Sequence, residues 1–396
     1  MKRRIHTFVP RRPSHAIPRA SRDLRRQRGL TLVELMVALL IGLLLTGGAI
    51  QVFLANRVAY AFNESMQRVQ ENGRFALDTL MFNTRMAGYL GCLSGVNLFN
   101  NLNSSTTLPF NFAVAVTGFE ATGTGPGATF APTAIDPANS TTAADWATNI
   151  VAPLNLGAPI MNNAVKGSDV LIVRNVSAVS HALVGAYNSG TAVFAGAIPA
   201  DYAVGDIAIV SDCTKASVFQ VTSVADSTAG GVTRIDIGHA AGGTPGNSLA
   251  TWNTDQQYGD GAQVARAETW AYYVGRGSGG HPALFQLRLQ TTSGTTTAAL
   301  GPAEELVDNV DTMQVLYGVD NDADGDVDVY SKADAVANWA NVVSLRIGLL
   351  VRAPEEYGAE TDATTYVVNE TGFNPINDRR VRQVFTTTAA LRNRLP

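Results

Sequence analysis

The chain has 396 residues and a formal net charge of −4, and its charges are unevenly distributed. Residues 1–29 contain ten of the 29 Lys and Arg residues and one acidic residue, so the remaining chain is acidic, with 19 basic and 32 acidic side chains. Such a surface repels the phosphate backbone and excludes a general nucleic-acid-binding protein. The length allows one large domain or two small ones.

The first structural feature is an apolar run over residues 30–55, which follows the basic residues Arg25, Arg26 and Arg28. A helix of this length crosses the roughly 30 Å hydrocarbon core of a bilayer. Because the basic residues flank its N-terminal side, we expect that end to stay in the cytoplasm and the rest of the chain to be extracytoplasmic.

Glu34 is the one charged residue in this run. A carboxylate in lipid is costly unless it is paired, so it usually marks a function. Cleavage after Gly29 would give Leu30 a charged amine, which Glu34 of a neighbouring subunit would neutralise when helices bundle. An ordinary signal anchor and a cleaved secretory signal are the alternatives; the run is longer than a typical signal core and lacks a small-x-small cleavage site.

The basic leader, Gly29 and the following LTLVEL segment resemble the class III leader of type IV pilins and pseudopilins. In that family a prepilin peptidase cuts after the glycine and methylates the new N-terminus. The resemblance therefore implies that residues 1–29 are removed, that Leu30 is methylated and that Glu34 serves subunit docking. Leu30 stands where phenylalanine is commonest in the family.

Residues 56–90 continue the helical pattern without a proline. Apolar side chains recur at spacings of three, four, seven and eight residues, at Val58, Phe62, Met66, Val69, Leu77, Leu80 and Met81. This pattern predicts an amphipathic second half of one long helix, whose apolar stripe packs against a globular head. Gly88 and Gly91 are suited to the turn that ends it.

The chain has two cysteines, Cys92 and Cys213. In an oxidising extracytoplasmic compartment a lone pair more often forms a disulfide than stays free. Closing so long a loop would destabilise the unfolded chain by about 4–5 kcal/mol. Two buried free thiols are the alternative.

Beyond residue 90 we expect a β-rich head over residues 91–396. Residues 93–167 are rich in Ser, Thr, Gly and Ala, which predicts loops and short strands inserted over the head. Strands are predicted at 170–173, 206–210, 218–221, 233–237, 268–274, 283–289, 313–319 and 342–351. The glycine-rich segment 275–280 is interpreted as a hairpin loop, since no helix follows it as a phosphate-binding loop requires.

One acidic segment, DNDADGDVD from Asp320 to Asp328, matches the first half of a calcium-binding loop. By that template Asp320, Asp322 and Asp324 are side-chain ligands, Asp326 offers its backbone oxygen, and Asp328 binds directly or through water. The twelfth position is serine rather than glutamate, so a complete EF-hand is excluded. We expect a structural Ca²⁺ here; a solvated acidic turn is the alternative.

Segments 70–92 and 205–213, together with the strands and the arginine-rich end of the C-terminal region, resemble the PilW family of minor pilins. The resemblance implies an α+β, pilin-like fold in which a long N-terminal helix, half of it membrane-spanning, packs on the β-rich head. It also implies a minor pilin in the priming or tip complex of the type IV pilus, with adhesion and twitching motility as secondary roles.

The partners implied by the resemblance are prepilin peptidase, other minor pilins, the major pilin and the inner membrane. The head would lie in the periplasm before assembly and on the pilus afterwards. A pseudopilin of a type II secretion system, which shares the leader and a β-rich head, is the first alternative.

A membrane-anchored enzyme is the second alternative, but the sequence offers no catalytic constellation. The five histidines lie far apart in the sequence, at His6, His15, His181, His239 and His281. No serine sits in a nucleophile-elbow motif. We therefore expect a protein that is not an enzyme.

Overall fold

This computed structural model describes residues 29–91, 97–136, 138–140, 142–148, 160, 162–184, 192–195, 202–229, 231–292, 295–356 and 360–394. The chain divides into two compact units, Met1–Arg57 and Val58–Pro396. Helix α1, Leu32–Arg85, begins in the first unit and ends in the second.

In the first unit, the apolar side chains of α1 are exposed from Leu32 to Leu54. Leu43, for example, is 75% exposed. Among the described residues, α1 is the helix that is long and apolar enough to cross a membrane, and none of its most apolar stretch is buried against protein. The helix is unbroken at Gly47 and Gly48.

In the second unit, α1 packs on the head through a face that contains many small residues. Its buried residues are Ser65, Val69, Gly73, Ala76, Leu80, Met81, Asn83 and Thr84. The predicted stripe is correct at Val69, Leu80 and Met81 but wrong at Val58 and Phe62, which are exposed.

Gly73 shows why this face of α1 needs a small residue. A methyl group at Gly73 would overlap the ring of Phe385, so the glycine lets the helix backbone approach the sheet. The helix ends at Arg85, before the predicted end at residue 90. It ends there because Gly88 adopts a positive φ of 75° and its N–H donates to the carbonyl of Arg174.

The strands of the described residues are, in chain order, β1 (Asn97–Asn100), β2 (Val116–Ala121), β3 (Thr129–Phe130), β4 (Trp146–Ala147), β5 (Val170–Ala182), β6 (Ala192–Ala195), β7 (Ile207–Ser211), β8 (Lys215–Gln220), β9 (Ser223–Ala229), β10 (Val232–Gly238), β11 (Gln263–Arg276), β12 (Pro282–Thr291), β13 (Ala298–Leu300), β14 (Glu304–Asp308), β15 (Val310–Val319), β16 (Val329–Ser331), β17 (Val342–Arg352), β18 (Tyr366–Val368), β19 (Thr371–Phe373) and β20 (Arg382–Ala390). Every predicted strand corresponds to one of these. The predicted hairpin around 275–280 is the antiparallel pair β11–β12.

Within the described ranges these strands form four sheets. A ten-stranded sheet has the order β1-β8-β7-β11-β5-β2-β4, with β12 added to β11 and with β13 and β14 added to β12. A four-stranded sheet has the order β16-β15-β17-β20, and two three-stranded sheets have the orders β6-β10-β9 and β18-β19-β3. The main core lies where α1, the ten-stranded sheet and the four-stranded sheet meet, around Leu80, Val173, Tyr272, Val315 and Ile347.

The segment 93–167 differs from the insertion we predicted. Its strand β2 is buried along its whole length and pairs with β5 inside the ten-stranded sheet. Polar and glycine-rich composition concealed this strand because Thr117 and Gly118 interrupt its apolar pattern. Gly118 is needed there because a larger residue would overlap the side chain of Tyr317.

A buried carboxylate joins the two larger sheets. Asp169 is 2% exposed and accepts the N–H of Ala121 in β2 at 2.9 Å and the N–H of Val315 in β15 at 2.8 Å. Burial, and then the nearby Glu120 carboxylate, raise the pKa of Asp169 well above its usual value. The two backbone donors satisfy a group that would otherwise be costly to bury.

Replacing Gly73 tests the close approach of α1 to the head. We expect Gly73→Ala to lower the free energy of unfolding by about 1–3 kcal/mol because the Phe385 ring must move. Gly259→Ala is the matched control, since no atom lies within 4 Å of the added methyl group. Thermal or denaturant unfolding of both variants measures the effect, and equal stability of the two would contradict this packing.

Candidate functional site

The predicted cleavage and docking residues lie at the start of α1, in the first unit. Leu30 is 75% exposed, and no atom lies within 4 Å of the position that a Gly29 side chain would occupy. Among the described residues, the peptide bond between Gly29 and Leu30 is therefore accessible. The basic residues of the leader, including Arg25 to Arg28, lie outside those residues.

Thr31 and Glu34 form a reciprocal cap at the beginning of α1. The N–H and the hydroxyl of Thr31 both donate to Glu34 Oε2 at 3.2 Å, and the Glu34 N–H donates to Thr31 Oγ1 at 3.2 Å. This arrangement is a capping box, which satisfies backbone donors that a helix start leaves free. Sequence analysis missed it, although Thr-x-x-Glu before an apolar run is its signal.

Glu34 has an observed local role in the capping box and a predicted role in subunit docking, and the two can be tested separately. Within one subunit the carboxylate accepts local donors while its side chain stays exposed. A glutamine at this position can also close a capping box, but it has no charge to pair with an amine. The docking role of Glu34 thus stays a prediction that a matched pair of variants can address.

The predicted calcium loop follows β15. The carboxylate oxygens of Asp320, Asp322 and Asp328 lie within 4.8 Å of one another. Asp324 and Asp326 are not part of this group, and Asp324 Oδ1 instead accepts the N–H of Asp326 at 2.8 Å. Three of the five predicted ligand residues are therefore brought together.

Local backbone groups shape this loop. Asp320 accepts the N–H of Ala323 at 2.6 Å and that of Gly325 at 2.9 Å. Partial desolvation raises the pKa of Asp320, but these donors outweigh it and bring the pKa below its usual value. The nearby Asp324 carboxylate, and then Asp328, raise the pKa of Asp322.

The donor set of this loop fits a hard cation. Three converging carboxylates are the oxygen ligands that Ca²⁺ takes, and a cation would relieve the repulsion at Asp322. Positive φ angles at Ala323 and Gly325, 62° and 93°, give the tight turn that the convergence requires. Calcium binding stays a prediction.

The disulfide prediction involves a residue outside the described part of the chain, Cys92. Cys213 is described and lies in the turn between β7 and β8, with a φ of 70°. The pairing of the two cysteines stays a prediction.

The described histidines have separate environments. His281 Nδ1 lies 2.9 Å from the Asp136 carboxylate, which also pairs with the buried Arg352. His239 stacks on Trp252 with ring centroids 3.9 Å apart, and burial lowers the pKa of His239 to about 4. His181 lies edge-on to Tyr202. His6 and His15 lie outside the described residues.

Sequence analysis also missed a buried ion-pair network in the head. Arg382 contacts Asp311 at 2.8 Å and Asp378 at 2.6 Å, and Arg352 contacts Asp311 at 3.3 Å. Burial raises the pKa of Asp311 more than the two guanidinium groups lower it. Asp378 and Arg382 are four residues apart, but Asp311 and Arg352 are distant in sequence, so no local motif predicts the network. It ties β15, β17 and β20 to the loop before β20.

Two protein-family models match the chain. The model for type IV pilus-assembly protein W (PilW) matches residues 271–393, and the model for the prokaryotic N-terminal methylation motif matches residues 24–50. The PilW match includes the C-terminal strands on which the resemblance depended. Segments 70–92 and 205–213 lie outside both matches.

Further comparisons add little. No curated protein matches the sequence. Among solved structures, a type IV-like pilin from Thermus thermophilus is similar, with 15% sequence identity over 33% of this chain and 70% of that chain and a TM-score of 0.23.

The chain thus combines a segment that matches the prepilin methylation motif with a long N-terminal apolar helix and a β-rich head. Its head contains the region, residues 271–393, that matches the PilW model. The predicted fold class and the predicted leader motif are thereby confirmed.

Changing the acidic loop tests the calcium prediction. We expect millimolar Ca²⁺ to raise the melting temperature of the protein and the combined substitution of Asp320→Asn and Asp322→Asn to abolish the rise. Asp326→Asn is the control, because its carboxylate lies outside the converging group and should leave the rise intact. Absence of a Ca²⁺-dependent rise in the unmodified protein would dismiss the site.

Proposed function

We propose that this protein is a minor pilin that takes part in assembly of the type IV pilus. The observation that supports the proposal best is the exposed apolar first part of α1, which begins just after the predicted cleavage residue Gly29. Such a surface requires an apolar environment that the described residues do not provide. The PilW domain in the head supports the pilus as its destination.

In the proposed sequence of events, the first part of α1 lies first in the membrane and then in the filament. Residues 30–55 hold the subunit in the inner membrane, with the head in the periplasm. Prepilin peptidase cleaves after Gly29 and methylates Leu30. The helix then leaves the bilayer for the filament interior, where Glu34 pairs with the new amine of a neighbouring subunit.

In the pilus, the subunit would help to prime or cap the filament together with other minor pilins and the major pilin. Contact with surfaces and twitching motility would be secondary roles of the head. A type II secretion pseudopilin is the alternative, and the PilW match favours the pilus over it. Loss of secretion with normal piliation in a deletion strain would favour the alternative.

Mass spectrometry of the protein from its native host tests the processing step. We expect an N-terminal peptide that begins with methylated Leu30. In a strain that lacks the prepilin peptidase gene, the peptide bond between Gly29 and Leu30 should remain intact. Recovery of the intact leader from wild-type cells would contradict the proposal.

Two substitutions at Glu34 separate docking from helix capping. We expect both Glu34→Gln and Glu34→Ala to leave membrane insertion intact and to reduce piliation at least several-fold, because both remove the buried charge pair. Thr31→Ala is the control, since it weakens the cap by about 1 kcal/mol but keeps the carboxylate. Normal piliation with Glu34→Gln would mean that the charge is not used for docking.

A further inference from the structure

A cleft lies in the ten-stranded sheet where two strands share one edge of β11. Strand β7 pairs with β11 at residues 263–266, and β12 pairs with it at residues 270–276. Within the described residues, 267–269 of β11 pair with neither of these two strands. The cleft at this gap has a volume of about 230 Å³. It is thus formed by the divergence of β7 and β12 from a common neighbour.

Strand β5, on the other edge of β11, bulges beside the cleft. The register between the two strands shifts here, so that β5 has the three residues 177–179 where β11 has only Arg266. The Ser177 hydroxyl accepts the N–H of Val179 at 3.2 Å, which stabilises the bulge. Both of these residues line the cleft. Bulges redirect side chains and are frequent next to active sites.

The cleft is lined by apolar and polar side chains. Four of them are buried members of one core cluster, namely Ile207, Ala267, Leu289 and Ala298. The polar lining includes two arginines, two carboxylates and two neutral side chains, namely Arg266, Arg288, Asp206, Glu268, Gln290 and Thr291. Binding sites for small molecules commonly combine an apolar surface with a few polar groups that fix the ligand.

A buried carboxylate orients one of the two arginines. Asp206 is 4% exposed and accepts the Thr291 hydroxyl at 2.6 Å and the Ala203 N–H at 3.0 Å. Its other contact is with Arg266 Nη2, at 2.9 Å. Because three donors hold the carboxylate, the guanidinium group is positioned before a ligand binds. Such positioning lowers the entropy that binding costs.

Trp270 contacts the other two charged groups of the cleft. The Arg288 guanidinium lies 5.8 Å from the centre of the indole ring, and the indole N–H donates to Glu268 at 3.3 Å. Within the described part of the chain, the side chains of Arg288 and Gln290 form no hydrogen bond and Arg288 forms no ion pair. Their hydrogen-bonding groups are therefore available to a ligand.

We propose that this cleft binds one ring of a neutral saccharide. The formal charges of the two arginines and the two carboxylates balance, so the cleft has no excess charge that would attract a small ion. A sugar hydroxyl both donates and accepts, which matches a lining in which the arginines donate, Glu268 accepts and Gln290 does both. The volume lies below the roughly 300–1,000 Å³ of sites for larger ligands, which favours a single ring.

The inference deepens the proposed function by naming a ligand class for the contact of the head with surfaces, and in that respect it rests on it. A free sugar and the terminal ring of a surface polysaccharide share the chemistry that this cleft recognises. Both sources are therefore compared in the experiment.

Isothermal titration calorimetry tests the proposal with the full-length protein, in a detergent whose head group is not a sugar. The neutral probes are glucose, galactose, mannose and N-acetylglucosamine, and the charged probes are glucuronate and glutamate. A linear tetrasaccharide of the sugar that binds is then compared with that sugar. Binding at least as tight identifies a polysaccharide as the source, and exclusion of the tetrasaccharide identifies the free sugar; both results support a saccharide site.

We expect at least one neutral sugar to bind, and Arg288→Ala and Gln290→Ala each to weaken its binding about fivefold or more, because each removes hydrogen bonds to hydroxyl groups. The matched controls are Arg276→Ala on β11 and Gln286→Ala on β12, whose side chains do not line the cleft. They should change the Kd by less than about twofold. Circular dichroism confirms that each variant folds.

Three outcomes would overturn the proposal. The first is the absence of binding by every neutral sugar at concentrations well above the millimolar range. The second is equal affinity of the cleft variants and the unmodified protein, and the third is tighter binding of glucuronate or glutamate than of any neutral sugar. A protein that enters pili but binds no sugar would contradict this inference alone. One that binds a sugar but does not enter pili would contradict the proposed function alone.

Discussion

The removal of one apolar surface from water is the constraint on which the rest of the molecule depends. From Leu32 to Leu54 the helix exposes apolar side chains, and each large one favours an apolar environment by about 1.5–3 kcal/mol. The core of the head uses α1 only from Val69 onwards. The head can therefore keep one structure while the surroundings of the first part of the helix change, as the proposed assembly requires.

Local patterns made much of the fold predictable. Helical spacing gave α1, and alternating or continuous apolar runs gave the strands, because both depend on neighbours in sequence. The burial of Gly73 and of β2 was not predictable in this way. Both positions are explained by aromatic side chains, Phe385 and Tyr317, that reach them from distant strands. The joint at Asp169 and the Arg352–Arg382 network depend on equally distant partners.

The acidic loop shows how far a spacing template extends. Alternate aspartates marked the segment, but the convergence of Asp320, Asp322 and Asp328 depends on the turn at Ala323 and Gly325. In this turn Asp324 points to the backbone of Asp326, so the third position of the template does not meet the other two. The backbone torsion angles of the turn determine which carboxylates converge, and the spacing of aspartates in the sequence does not reveal those angles. Glu34 was found from its chemistry, yet its capping partner Thr31 was overlooked.

The contact of Phe385 with Gly73 has a mechanical consequence. The Phe385 ring lies against the helix backbone at Gly73. It therefore opposes both rotation of this part of α1 about its own axis and translation along that axis. Torque applied to this stretch of helix would be passed to the four-stranded sheet through β20. The head would therefore keep one orientation about the axis of this part of α1 instead of rotating around it.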